Sequence, residues 1–341
     1  MDCPLPTARY DRITLAHGGG GTLTDALIRE VFLPAFGSPA ASPLDATPLP
    51  IDAGPVALTT DSYVVQPLFF PGGDIGTLAV NGTVNDLLMV GARPVALTAG
   101  FILEEGLEIE VLRRVVASMR TAAATAQVSI VAGDTKVIER SRGDGIYINT
   151  SGLGQIVTPD VPQPARIRTG DVLVLTGDIG RHGMAVMATR HGLDFSPPVE
   201  SDCAALSGPM LDLFAAGFLP HCARDLTRGG LGGVLCELAR AAQLDLAIEE
   251  SRIPVRPAVQ SACDLLGLDP LFVANEGCAV LILAPKDVES ALSILSRHPA
   301  TAPACVIGSA GPAGGAVSAR TALGTVRRIT PPTGEQLPRI C

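Results

Sequence analysis

The sequence predicts an α/β (α+β) protein of two domains, residues 1–158 and 159–325, followed by a mobile tail over 326–341. Three observations carry that reading. Strand-like and helix-like segments alternate through both halves. The proline-rich stretch Thr158-Pro159-Asp160-Val161-Pro162-Gln163-Pro164 interrupts the alternation near the middle, where a domain boundary is expected. Near the end, Pro331, Pro332 and Pro338 keep the chain extended, and the sequence closes on a thiol, Cys341.

In order along the chain, Thr24 to Phe36 reads as a helix behind a glycine run, and Val56-Ala57-Leu58-Thr59-Thr60 as a short strand. Ile75 to Val90 is an apolar-faced helix and Pro94 to Leu103 a strand. Glu108 to Ala126 is the clearest amphipathic helix, with Val111, Leu112, Val115, Val116 and Met119 on one face. Strands follow at 128–131 and 145–149. After the linker come a strand at 172–175, helices around 181–191, 203–216 and 230–242, a strand at 278–283, a helix at 287–297 and short β segments before the tail.

Composition narrows the function classes. At 47% hydrophobic and 17% charged the chain is globular, and its apolar runs are strand-length, which fits neither a membrane span nor a disordered chain. A net charge of −9, no tryptophan and 4% aromatics exclude a nucleic-acid surface, which needs a basic stripe or stacking platforms. Eight cysteines contain no C-x-x-C pair, which argues against zinc and disulfide frameworks. The first residues lack the basic region and apolar core of a signal peptide, so a cytoplasmic location is expected.

The acidic residues gather in motifs. His17-Gly18-Gly19-Gly20-Gly21-Thr22 precedes a helix, and glycines there let backbone N–H groups turn toward a phosphate; a flexible loop without a ligand gives the same pattern. It is neither a P-loop nor a Rossmann turn. Asp61 closes a strand, Asp74 opens a helix, and Asn81, Asn85 and Asp86 follow on that helix. Such oxygen ligands suit magnesium beside nucleotide phosphates, with helix capping the alternative for Asp74. Asp134 and Lys136 end another strand and, two residues apart, point to one side; a surface ion pair is the alternative. Asp225 to Leu231 turns into a helix, and Glu276 stands between Asn275 and Gly277 at a strand entry, placed to act as a base or to make a turn. Ten residues of extended tail reach roughly 33 Å, enough to bring Cys341 into a pocket.

These motifs, in this order, resemble the aminoimidazole ribonucleotide synthetase superfamily and, within it, its hydrogenase maturation branch. The matching segments are His17 to Gly21, Thr59 to Val65, Gly73 to Pro94, Ala132 to Val137, Asp225 to Leu231, Ala274 to Gly277 and Pro338 to Cys341, spread over essentially the whole chain. Leu226 departs from the pattern, which has proline there. The resemblance implies a homodimer paired through N-terminal sheets, with ATP and magnesium bound near the interface. It implies ATP-site residues His17, Gly18, Gly19, Gly20, Asp61, Asp74, Asn81, Asn85, Asp86 and Asp134, with magnesium on Asp61, Asp74, Asp86 and Asp134. Cys341 would receive a carbamoyl group from the carbamoyltransferase HypF. Glu276 and Lys136 would then assist dehydration of the S-carboxamide to a thiocyanate, whose cyano group passes to iron on a HypC–HypD complex. No nucleic acid and no membrane take part in this scheme.

The chemistry is consistent with the residues. An amide oxygen leaves only after phosphorylation, and two nitrogen protons must depart, which calls for phosphate-binding glycines, carboxylates, a base and a cation. A selenophosphate synthetase or aminoimidazole ribonucleotide synthetase is the nearest alternative. The first would carry a reactive Cys or Sec in its glycine-rich region, and this loop has none. A non-catalytic scaffold with a docking tail is the alternative of another class.

Overall fold

A computed structural model of the chain describes residues 10–19, 21–37, 46–47, 49–51, 54–330, 337 and 339–341. Gly20 and the tail prolines lie outside the described residues. A helical run comes first, α1 (Thr22–Leu27) continuing through a π-helical turn (Ile28–Phe32) into α2 (Leu33–Phe36). The strands and helices β1 (Val56–Tyr63), β2 (Phe69–Phe70), β3 (Gly73–Asp74), α3 (Ile75–Met89), β4 (Ala92–Glu104), α4 (Ile109–Ala126), β5 (Ser129–Ile138) and β6 (Ile146–Ile156) follow. The sheet order is β1-β6-β4-β5, antiparallel except for β4 and β5, which run parallel around the α4 crossover.

Helix α3 packs against β1, β6, β4 and α4. All of its residues except Thr77 and Asp86 are buried, as expected of a helix apolar almost all round. Gly76 permits this packing, because a Cβ there would lie 2.5 Å from the Val115 carbonyl of α4. Asp74 caps the helix: its Oδ1 accepts from Gly76 N at 2.8 Å and Thr77 N at 2.9 Å. The other sheet face has no covering layer among the described residues, and Leu58, Val56 and Ile102 stand 77%, 49% and 43% exposed on it.

The second half contains β7 (Val172–Leu175), α5 (Arg181–His191), α6 (Ser207–Ala215), β8 (Cys222–Asp225), α7 (Gly230–Ala242), β9 (Leu244–Glu249) and α8 (Pro257–Leu266). It continues with β10 (Ala279–Leu283), α9 (Val288–Leu295), β11 (Cys305–Ala313), β12 (Val317–Arg320) and β13 (Val326–Ile329). The sheet order is β13-β12-β9-β11-β7-β10-β8, antiparallel except between β9 and β12. Alternate residues serve two cores: Val174, Leu281 and Leu283 join the cluster that extends into the first half, while Leu173, Leu175, Val280 and Ile282 pack with α7. Both faces are covered, so β10 is buried along its whole length.

The tail expected over 326–341 therefore begins inside this sheet, with β13 as its edge strand; Ile329, 3% exposed, anchors it. No helix among the described residues is long and apolar enough to cross a membrane.

Candidate active site

The loop before β10 holds Glu276 in place by saturating the groups around it. Asn275, fully buried, accepts from Gly180 N at 2.6 Å and donates to the carbonyls of Leu226 and Val273 at 3.1 and 3.0 Å. Asp202 accepts from Glu276 N and from Gly277 N, the latter at 3.0 Å. Gly277 admits no side chain, because a Cβ would sit 1.9 Å from the Asp202 carbonyl. The Glu276 side chain is then 3% exposed, and its Oε1 has no hydrogen-bond partner. A buried carboxyl oxygen left this way costs stability unless a ligand or reaction uses it.

The Cys341 thiol lies beside this carboxyl, near enough that each group shifts the other's hold on its proton. Burial, then the charges of Asp225 and Asp202, push the Glu276 carboxyl well above the usual carboxylate range. Burial, then Glu276, raises the thiol as well, while Arg228 acts in the opposite direction. Both groups therefore hold their protons tightly in this arrangement.

Around this pair lie three more carboxylates. The inward-facing positions of β1 aim Thr59, Asp61 and Tyr63 at α3, and Thr59 Oγ1 donates to Asp86 at 2.8 Å. Asp86 is raised by burial and by Asp61, and Asp225, at the end of β8, is raised to about 7 by burial, Asp86 and Asp61. Arg228 approaches Asp61 at 3.9 Å. Leu226, at the departure from the family pattern, donates its N–H to the Cys278 carbonyl at 3.0 Å, a bond that proline cannot make.

Other expected site residues take different positions. Asp74 is saturated, since besides its two capping bonds its Oδ2 accepts from Ser118 Oγ. Asn81 donates to Cys203 Sγ at 3.5 Å, and Asn85 donates to the Ala204 carbonyl at 3.0 Å and accepts from Leu206 N at 2.8 Å. The two asparagines thus tie α3 to the loop before α6.

Asp134 and Lys136 lie on β5, the edge strand opposite β1, exposed and paired at 3.6 Å. Three inter-strand steps of about 4.8 Å separate the two edges. His17 is buried, with its pKa lowered by burial, and its Nδ1 accepts from Thr14 N at 3.0 Å. Gly18 packs so closely on β5 that a Cβ would lie 2.6 Å from Val137 N, whereas Gly19 is uncrowded.

Among the described residues, no three His, Cys, Asp or Glu side chains group closely enough to hold a metal. The magnesium set of Asp61, Asp74, Asp86 and Asp134 therefore does not converge within one chain: Asp74 is spent on its cap, and Asp134 faces outward on the far edge. Nor does one chain bring Lys136 to Glu276. Asp225, Arg228 and Asp202 join the site although the motif reading took none of them as site residues; the repeated acid–glycine turns at 225–230 were the available signal.

Comparison with known proteins agrees with this architecture. The N-terminal domain of AIR synthase related protein matches residues 45–156 and the C-terminal domain of AIR synthase related protein matches 168–319. The carbamoyl dehydratase HypE of Rhodobacter capsulatus is 48% identical, covering 98% of this chain and 99% of its own. The crystal structure of hydrogenase maturation protein HypE in complex with ATP superposes with a TM-score of 0.93 at 45% identity, over 96% of this chain and 99% of that one. A HypE chain from a HypE–HypF complex matches with a TM-score of 0.79 at 41% identity, over 92% of this chain and 100% of that one. The chain belongs to the AIR synthase-related family and, within it, to the family of the carbamoyl dehydratases HypE.

Proposed function

We propose that this chain is an ATP-dependent carbamoyl dehydratase acting on an S-carboxamide carried by its own Cys341. The observation that carries the reading is the thiol beside a buried carboxyl with an unpartnered oxygen. Replacing S–H by S–C(=O)NH₂ puts an amide N–H donor where Glu276 needs one. The carboxamide oxygen attacks the γ-phosphorus of ATP and releases ADP. Two protons then leave nitrogen, the C–O bond breaks to free phosphate, and –S–C≡N remains; Glu276 takes a nitrogen proton.

ATP supplies the phosphoryl group that turns the amide oxygen into a leaving group. The fit of magnesium rests on the donor set: Asp61, Asp86 and Asp225 present hard oxygen ligands, and the raised proton affinity of Asp86 and Asp225 marks uncompensated negative charge. Magnesium carried by nucleotide phosphates needs only one or two protein carboxylates, so a full protein cage is not required. Asp225, with Asp202, raises the Glu276 carboxyl by repulsion, and a cation held at Asp225 would offset its part of that repulsion, so that Glu276 could give up its proton and act as a base.

Lys136, Asp134 and the glycine loop reach this chemistry in a homodimer. The uncovered sheet face, with Leu58 and Val56 exposed, is the surface for isologous pairing, and the β5 edge of one chain then serves the β1 edge of the other. The ATP-bound HypE relative supports the nucleotide reading, and the HypE–HypF complex supports a carbamoyltransferase as donor. Delivery of the cyano group to a HypC–HypD complex in the cytoplasm completes the scheme.

The test uses cyanate, which carbamoylates thiols directly. Cyanate-treated protein given ATP and magnesium should lose one water from the C-terminal peptide by mass spectrometry, and Cys341→Ala should show neither adduct nor loss. A carbamoylated peptide that never changes mass would refute dehydration and leave the tail as a docking element.

A further inference from the structure

Helix α5 forms a bed for the described tail residues. Gly183 lets Leu337 approach, since a Cβ there would lie 3.2 Å from Leu337 Cδ1. Arg190 Nη2 donates to the Arg339 carbonyl at 2.7 Å, and the same guanidinium donates to the Gln66 carbonyl from Nε at 2.9 Å and Nη2 at 2.7 Å. Gln66 N also donates to the Arg339 carbonyl, at 3.3 Å.

His182 completes the set. Its Nε2 donates to the Ile340 carbonyl at 2.8 Å, and its Nδ1 accepts from the Ser201 hydroxyl at 2.9 Å. Ser201 Oγ in turn accepts from Cys203 N at 3.0 Å. His182 is fully buried, and burial lowers its pKa to about 4, so the ring is neutral with its proton on Nε2. The residues it serves are bent into place: Arg339 adopts φ +54°, rare for a side-chain-bearing residue, and its guanidinium pairs with Asp144 at 2.9 Å. The turn sends Ile340 into the core at 3% exposure and Cys341 toward Glu276.

We propose that His182 and Arg190 form a backbone clamp that sets the register of the tail, and so the distance at which the Cys341 thiol meets Glu276. They are positioning residues: the clamp holds two successive carbonyls, so it reads spacing along the chain rather than side-chain identity. The consequence for catalysis rests on the dehydratase reading; the clamp itself does not. Carbamoyl transfer takes the released tail and dehydration takes the clamped one.

The first measurement is the rate at which iodoacetamide labels Cys341 in the native full-length protein, read from the mass of the C-terminal peptide. His182→Ala and Arg190→Met should each raise it about tenfold, the weight of one strong buried hydrogen bond, while Cys278 stays unlabelled as a check on folding. His182→Gln, which keeps a donor, should stay within about twofold of wild type. Wild-type labelling rates in the Ala and Met variants, or a Gln variant indistinguishable from Ala, would overturn the clamp. The second measurement inserts one glycine between Ile340 and Cys341, displacing the thiol by about 3.5 Å. After cyanate treatment this variant should carry the carbamoyl group but lose water at least about tenfold more slowly than wild type. Normal conversion would show that register is not what the clamp sets. If wild type itself fails to lose water, the dehydratase reading fails while the labelling rates still decide the clamp.

Discussion

At the scale of single residues, the aspartates separate by how many hydrogen bonds each already accepts. Asp74 accepts two backbone N–H bonds and the Ser118 hydroxyl, so its oxygens are occupied by the protein. Asp74→Ala should cost about 1–2 kcal/mol in urea unfolding, Asp74→Asn less, and neither should change magnesium–ATP affinity by calorimetry. Loss of nucleotide binding in Asp74→Asn at unchanged stability would return it to the metal set. Asp225 has the opposite signature. Its folded pKa, raised to about 7, exceeds its unfolded value, so the folded state binds the extra proton and loses stability as pH rises through that window. Asp225→Asn lacks this loss and should gain about 2–3 kcal/mol relative to wild type between about pH 5 and pH 8. Magnesium–ATP should shrink the gap, and a gap independent of pH would mean that Asp225 is not strained by its neighbours.

At the scale of elements, α3 couples sheet, site and second half, and Asn85 is its link to the loop before α6. Asn85→Ala removes a donor and an acceptor there and should lower stability by about 2–3 kcal/mol. A change below about 0.5 kcal/mol would show that the link carries no load. Much of this layer was legible. The spans 181–191 and 230–242 are the observed helices α5 and α7. Five elements were not. β2 and β3 are only two residues each and β8 only four. β9 begins two residues after α7 ends and so reads as a continuation of that helix, and α8 starts at Pro257 in a proline-rich stretch that reads as loop. The clamp on α5 was invisible for another reason: His182 and Arg190 act on backbone carbonyls, which leave no side-chain motif. Glu276 was legible as a candidate because a lone carboxylate between Asn and Gly stands out, whereas its link to Cys341 depends on a turn at Arg339 that no local pattern announces.

At the scale of the whole molecule, the expected site divides between opposite edges of one sheet, and the proposed homodimer is the arrangement that would reunite it. Leu58→Arg, on the open face, should convert the protein to monomers in sedimentation at micromolar concentration, whereas an unchanged dimer would move the interface elsewhere. Mixing Lys136→Met with Glu276→Gln should restore about a quarter of wild-type conversion, since half of the dimers are mixed and each holds one intact site. No recovery would place both residues in one subunit. The central claim is that Glu276 draws a proton from the carboxamide held on Cys341. It is tested most directly by the mass of the C-terminal peptide of cyanate-treated Glu276→Gln after addition of ATP and magnesium. The expected result is a peptide that keeps its carbamoyl group, never losing water, in a protein that still binds ATP; loss of water at the wild-type rate would contradict the account.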